Sequence, residues 1–216
     1  IYKLEQGEKI HWNSFIRKLA TDQKDKKLNI SSDGYITETD GQICFCDFLN
    51  KKNKTRIKQN YISHVIYSNG RIVDLNLDSI LPLPKIINNN IVSNYRMKRL
   101  IAGHQGSGTA LHSHSRACFV NLGGKKKWFL AEPSIRNQEV LDEFKYNIED
   151  KKIACITDWF HSRADEFAAQ LNGCEIFTLK EHEALFIPDG YLHAVLNLET
   201  TIGVAFSWEE KCQNLA

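Results

Sequence analysis

From Arg96 to Trp208 the chain alternates short apolar runs with Gly-containing turns, and the runs at 97–101, 118–122, 128–130, 174–179, 184–187, 193–198 and 202–208 have the length of strands. Such a succession predicts a compact, mainly β barrel. One helix interrupts it: Trp159, Phe160, Ala164, Phe167, Ala168 and Leu171 recur with the helical period, which predicts a helix over 158–172 with Thr157 or Asp158 as N-cap and Gly173 just past its end. Upstream, Ile10, Phe15, Ile16 and Leu19 predict an amphipathic helix over 10–19, broken by a polar stretch that runs to Asp33-Gly34. Residues 41–51 read as a strand running into a helix. Residues 60–67 are rich in β-branched and aromatic side chains and lead to a turn at Ser68-Asn-Gly70. Leu81-Pro-Leu-Pro-Lys85 can be neither a helix interior nor a central strand, so it marks a boundary. Residues 1–95 are therefore expected to form a flanking extension of helices and strands that packs on the barrel, and 96–216 the barrel core, the two making one structural domain.

Composition narrows the partners. The 216 residues carry a formal net charge of +2, with Lys24-Asp-Lys-Lys27 and Lys125-Lys126-Lys127 as short basic runs, so neither a nucleic-acid nor a membrane-surface partner is implied. No apolar stretch approaches a membrane span. The six cysteines, at 44, 46, 118, 155, 174 and 212, form no C-x-x-C pair, and Cys44-Phe-Cys46 reads as two small buried hydrophobes on one face of a strand. Asn29-Ile-Ser31 and Asn53-Lys-Thr55 match the glycosylation acceptor pattern, a chance match in so Asn-rich a chain. The opening residue is Ile1 rather than Met, as in a trimmed or processed chain whose signal peptide would lie outside it.

The chemistry concentrates on three histidines. His112-Ser113-His114 offers two imidazoles that an extended strand would present on one face, and His193, entering a strand directly after the tight turn Pro188-Asp-Gly-Tyr191, can supply a third. Neutral imidazole suits Fe(II), Zn(II), Ni(II) or Cu(II), so the histidines alone do not choose the metal. Three protein ligands leave positions for exchangeable ones. The usual non-haem Fe(II) oxygenase set is two His and one carboxylate, and here His114 stands where the carboxylate would be. His104, His161 and His182 fall at turns or on the helix and read as surface or supporting residues. Trp128, Trp159 and Trp208 read as core, and Asp158, Asp165 and Glu166 as capping or solvated charges.

Three stretches carry a resemblance: 97–112, ending in Gly106-Ser-Gly-Thr-Ala-Leu-His112; 120–133, with Gly123-Gly-Lys-Lys-Lys-Trp128; and 183–193, ending in Pro188-Asp-Gly-Tyr-Leu-His193. They resemble the jumonji-C, cupin-like domain of the 2-oxoglutarate oxygenases, over about residues 40 to 208. Within that family the chain is most similar to the small jumonji-C-only proteins of the endoplasmic reticulum lumen, which also carry His-x-His and an ending like His193 to Thr200. The resemblance implies a double-stranded β-helix with His112, His114 and His193 as metal ligands, Fe(II) as the metal and 2-oxoglutarate as co-substrate. It implies that Lys126 binds the distal carboxylate of that co-substrate and that Thr109 hydrogen-bonds it. It further implies a protein or peptide substrate, an N-terminal third that builds a substrate groove or the surface of a homodimer, and residence in the ER lumen, with cytoplasm or nucleus otherwise.

Three functions follow as expectations. The first is an Fe(II)- and 2-oxoglutarate-dependent oxygenase hydroxylating a protein side chain, a reaction that needs no catalytic residue beyond the metal centre. The second is a jumonji-like metal-binding adaptor with weak or no activity, which His114 favours. The third is a three-His cupin dioxygenase acting on a small molecule, against which Lys126 and Thr109 count.

Overall fold

The computed structural model describes residues 1–22, 25–31, 41–49, 61–68, 71–72, 74, 95–139, 156–171 and 173–208. Its strands are β1 (Tyr2–Lys3), β2 (Lys27–Ser31), β3 (Gly41–Cys44), β4 (Tyr61–Ser68), β5 (Arg71–Ile72), β6 (Tyr95–Gly103), β7 (Gly108–His112), β8 (Ala117–Gly123), β9 (Lys126–Ala131), β10 (Glu175–Leu179), β11 (Glu183–Ile187), β12 (Leu192–Asn197) and β13 (Thr201–Trp208). Its helices include α1 (Gln6–Thr21), α2 (Phe45–Leu49), α3 (Ile156–Ser162) and α4 (Ala164–Gln170), and residues 135–139 are helical as well. The expected Pro-containing boundary at 81–85 lies outside the described residues. Among those residues no helix is long and apolar enough to cross a membrane.

Two antiparallel sheets face each other, as the apolar runs predicted. The larger runs β1-β11-β8-β13-β6-β4-β2-β3, with β5 on β4; the smaller runs β10-β9-β12-β7. Three apolar layers hold them. Between the sheets, Ile101, Phe119, Leu185 and Ile187 of the large sheet meet Trp128, Leu179 and Val195 of the small one. Outside the large sheet, Phe15 and Leu19 of α1 and Phe45 and Phe48 of α2 pack on Leu100, Val120 and Phe206. Outside the small sheet, Trp159, Phe160 and Phe167 pack on Phe129, Ala131 and Ala194. Strands β7, β8 and β12 bury both faces between two of these layers, which is why such sequences show apolar runs rather than an apolar-polar alternation.

Local chemistry moves several boundaries. Helix α1 starts four residues before its apolar stripe because Glu8 Oε2 accepts the Glu5 backbone N–H at 2.8 Å and the Tyr2 hydroxyl at 3.0 Å, which satisfies the first turn. The single helix expected over 158–172 is two. The Ser162 hydroxyl donates to the Asp158 carbonyl at 2.6 Å, a back-bond that bends helices, and Arg163 leaves helical geometry at φ −132°. Cys44 and Cys46 do not share a strand face, because β3 ends at Cys44 and Cys46 lies within α2.

Strand β7 was not legible as a strand, and its pairing with β12 explains why. His112 pairs with His193 and Thr109 with Val195, so Ala110 and Leu111 together oppose Ala194. This is a β-bulge, with one residue more on β7 than on β12. Gly108, the next position, lies so close to β12 that an added Cβ would sit 1.8 Å from the Val195 carbonyl oxygen. Gly108→Ala is therefore expected to destabilise the protein by at least about 2 kcal/mol through overpacking, a fall in melting temperature of about 4–8 °C. Gly7→Ala in α1, whose Cβ would meet nothing within 4 Å, should be neutral or stabilising. Thermal melts of the two variants against the parent test both signs.

Candidate metal centre

The three predicted histidines converge. His112 closes β7, His193 faces it across the β7–β12 ladder, and the three side chains bring one ligand atom each to within 4.8 Å of one another. Strand β7 ends at His112, so the pair is not held on one regular strand as expected. His114 lies in the following loop, where its carbonyl accepts the Gly190 N–H at 3.1 Å and so ties that loop to the turn that launches β12. Gly190 takes φ +74°, a left-handed conformation that favours glycine.

Every ring is oriented by a backbone carbonyl at its Nδ1. His112 meets the Ala110 oxygen at 2.7 Å, His114 the Ser115 oxygen at 2.6 Å, and His193 the Tyr191 oxygen at 3.0 Å. A carbonyl only accepts, so each Nδ1 carries the proton and each Nε2 presents its lone pair to the centre. His112 Nε2 is buried with no hydrogen-bond partner. An orphaned buried acceptor beside two further Nε2 atoms is the arrangement that a metal cation completes, and the donor set fits one.

Burial keeps these rings neutral. It pushes His112 down to about 4, with the neighbouring His114 adding to the fall and the Ala110 bond opposing it. His193 is driven well below its usual value by burial and then by His112 and His114. Burial also lowers His114, the most accessible of the three; Arg99 lowers it further and Asp189 opposes. Neutral imidazole is the form that ligates.

A pocket runs inward from the triad, walled by Ile101, Phe119, Trp128, Ile187 and Val195. Both predicted carboxylate-binding residues line it. Thr109 is buried, and it reaches the pocket because of the bulge: three residues apart on a regular strand, Thr109 and His112 would face opposite sides. Lys126 is fully buried, its ammonium 2.8 Å from Asn197 Oδ1 and 5.0 Å from the centre of the Phe119 ring, and burial lowers its pKa to about 7. Lys125, by contrast, is exposed and pairs with Glu199, so one lysine of the basic run turns inward. Phe119 stands in the wall, and Cys118 points into the outer core, its thiol pushed up to about 12 by burial. Among the described residues His112, His114 and His193 are the group that could hold a metal. Two residues, one bonded to Lys126 and one in the pocket wall, were not anticipated. Asn197 was overlooked, although it follows His193 by four on a strand and therefore shares its face. Trp128 was read as plain core, yet it lines the pocket and stacks on His193 with ring centres 6.0 Å apart.

Comparison with known proteins agrees with this geometry. Residues 99–208 match the family described as JmjC domain, hydroxylase. The chain belongs to the JmjC family. It is 30% identical over 121 residues to the Arginine-specific demethylase JMJ20 of Arabidopsis thaliana, a match that covers 54% of this chain and 24% of that protein. It is 33% identical over 105 residues to JmjC domain-containing protein 8 of Rattus norvegicus, covering 49% and 34%. It is 26% identical over 117 residues to the 2-oxoglutarate and iron-dependent oxygenase JMJD4 homolog of Drosophila melanogaster, covering 51% and 24%. The match thus spans about a quarter to a third of the length of these curated relatives. The family's cupin-type jelly roll is the double-stranded β-helix that the two facing sheets form.

The depressed pKa values set a pH dependence. A buried His whose folded pKa lies near 4 binds no proton where the unfolded chain, near 6.5, already does, so the unfolded state gains protons first as pH falls. Stability of the metal-free protein should hold above about pH 6.5 and fall steadily between about 6.5 and 4. Denaturant titrations at intervals across that window measure it. His112→Ala, which removes one such group, should flatten the slope and abolish tight Zn(II) or Mn(II) binding.

Proposed function

We propose that this JmjC chain is an Fe(II)- and 2-oxoglutarate-dependent oxygenase that hydroxylates a protein side chain. The observation that carries the reading is a single pocket with two unlike ends, a trio of metal-ready imidazoles and a buried ammonium beside a threonine hydroxyl. A lysine buried this deeply is costly unless it meets an anion, and a carboxylate reaching it along an apolar wall supplies one.

Iron(II) held by His112, His114 and His193 would supply the dioxygen activation that couples decarboxylation of a 2-oxo acid to hydroxylation of a C–H bond. The protein's part is binding and exclusion. Lys126 and Thr109 hold the distal carboxylate of 2-oxoglutarate, which sets how far the oxo-acid end extends toward the histidines. Ile101, Phe119, Trp128 and Val195 keep water from that path. The Ala110, Ser115 and Tyr191 carbonyls hold the rings so that the ligating nitrogens need no reorientation. The relatives named as an iron-dependent oxygenase and as a demethylase support an oxidative role, and the choice of a protein substrate is an extension from the family.

A second reading has its own observation. His114 replaces a carboxylate by a neutral ligand, as an adaptor that keeps the fold and the ion without turnover could do. Anaerobic addition of Fe(II) and 2-oxoglutarate decides between them: the oxygenase gives a weak visible charge-transfer band and, with air, succinate. No band and no succinate from the parent, with turnover appearing in His114→Asp, would establish the adaptor instead. If the parent turns over, Lys126→Ala should weaken 2-oxoglutarate by about 10- to 100-fold, the worth of one charge-assisted hydrogen bond. Activity indifferent to that change would point to a three-His dioxygenase acting without 2-oxoglutarate.

A further inference from the structure

Asn197 stands opposite Lys126 in the β9–β12 ladder, at the far end of the inward row that begins with His193. Its side chain is 1% exposed, and each of its polar groups is held. Oδ1 accepts from Lys126 Nζ at 2.8 Å and from the Thr201 hydroxyl at 2.8 Å. Nδ2 donates to Ser107 Oγ at 2.9 Å, and that hydroxyl in turn donates to the His104 carbonyl at 2.7 Å. The backbone is pinned as well: Asn197 N–H donates to the Ser107 carbonyl at 2.8 Å, and Gly106 N–H to the Asn197 carbonyl at 2.9 Å. The Lys126 ammonium can only donate, and the Ser107 hydroxyl already donates to the His104 carbonyl, so the amide is held with Oδ1 toward Lys126 and Nδ2 toward Ser107. Thr201 and Ser107 are as buried as Asn197.

A neutral amide does something here that neither common alternative would. An apolar residue would leave the ammonium without this acceptor. A carboxylate would form an ion pair and consume the charge that a ligand needs. The amide holds the amine in place without itself supplying a counter-charge, which is left for a ligand to bring. We propose that Asn197, braced by Thr201 and Ser107, is the positioning residue that makes Lys126 a selective reader of dicarboxylate 2-oxo acids. The inference rests on reading Lys126 as the carboxylate anchor and names the residue that gives the anchor its pose.

The test titrates the full chain, loaded with Mn(II), with 2-oxoglutarate and with pyruvate, which lacks the distal carboxylate, by calorimetry. Asn197→Asp keeps the side-chain shape and should weaken 2-oxoglutarate by about 10- to 100-fold. Pyruvate binding should be essentially unchanged, and the melting temperature unchanged or raised by the new ion pair. Thr201→Val, which removes one brace without altering shape, should reduce the preference for 2-oxoglutarate in the same direction and by less. An Asp variant that binds 2-oxoglutarate like the parent overturns the inference, and so does one that loses both ligands equally, since that is a structural effect. If Asn197→Asp does not fold, Thr201→Val decides, and an unaltered preference in it counts against the proposal. A parent that does not prefer 2-oxoglutarate to pyruvate removes the anchor role of Lys126 itself, and the inference with it.

Discussion

Strand β7 carries one residue more than β12 across the segment that faces the pocket, and the groups on that side of the site take their places from it. Without the bulge, a strand that points His112 inward would turn Thr109 outward into the helices. With it, Ala110 and Leu111 both pack against the α3–α4 layer while Thr109 and His112 both face the cavity. The Ala110 carbonyl lies 2.7 Å from His112 Nδ1 and fixes the ring's tautomer, as the Tyr191 carbonyl does for His193. Gly108 is the complement, since only a residue without Cβ lets β7 approach β12 this closely. Packing and pocket lining are consequences of one local feature.

The pocket is also an electrostatic investment. Three imidazoles and an amine are taken from water into a cavity walled largely by Ile, Val, Phe and Trp, and desolvation is the first cause of the lowered pKa of each. The histidines answer by staying neutral, each donating from Nδ1 and leaving Nε2 for a cation. The lysine is held by an amide that does not cancel its charge. One end of the cavity is thus built for a cation and the other for an anion. A molecule that is anionic at both termini bridges these ends, whereas a neutral small molecule would bring no counter-charge to Lys126.

Most strands after residue 95 were legible because they lie between apolar layers and therefore show as apolar runs between glycine turns. The convergence of His112, His114 and His193 was legible because two stand two apart and the third follows a tight turn that sets where its strand begins. What escaped was what regular periodicity cannot express. The bulge destroys alternation in β7, so Gly108–His112 did not read as a strand. Strand β2 falls in a stretch that reads as polar loop, and it is held as a strand by pairing with β3 and β4, whereas the strand running into a helix at β3 and α2 was legible. The division of the 158–172 helix turns on one hydroxyl, Ser162, whose back-bond does not disturb the apolar period. Asn197 was within reach, since the two-residue period that places Val195 inward places it inward too.

His114 then has a consequence for the whole pocket. A divalent ion held by two imidazoles and a carboxylate carries one net positive charge, and held by three imidazoles it carries two. With a charged Lys126 at the far end, the first arrangement puts two positive charges in the cavity and the second three, so a dianionic ligand balances the first and leaves the second one positive, where uncompensated charge is expensive. The replacement that departs from the usual oxygenase set therefore strengthens the demand for an anionic co-ligand. Lys126 and Asn197 at the far end make the same demand from the opposite side, so loss of the carboxylate is compatible with a pocket still built around a dicarboxylate. Whether such a centre turns over depends on how an all-imidazole ligand set alters the ion's reactivity. Coulombic attraction between the ion and an anionic ligand does not depend on that reactivity, so binding and turnover are separable properties of this site.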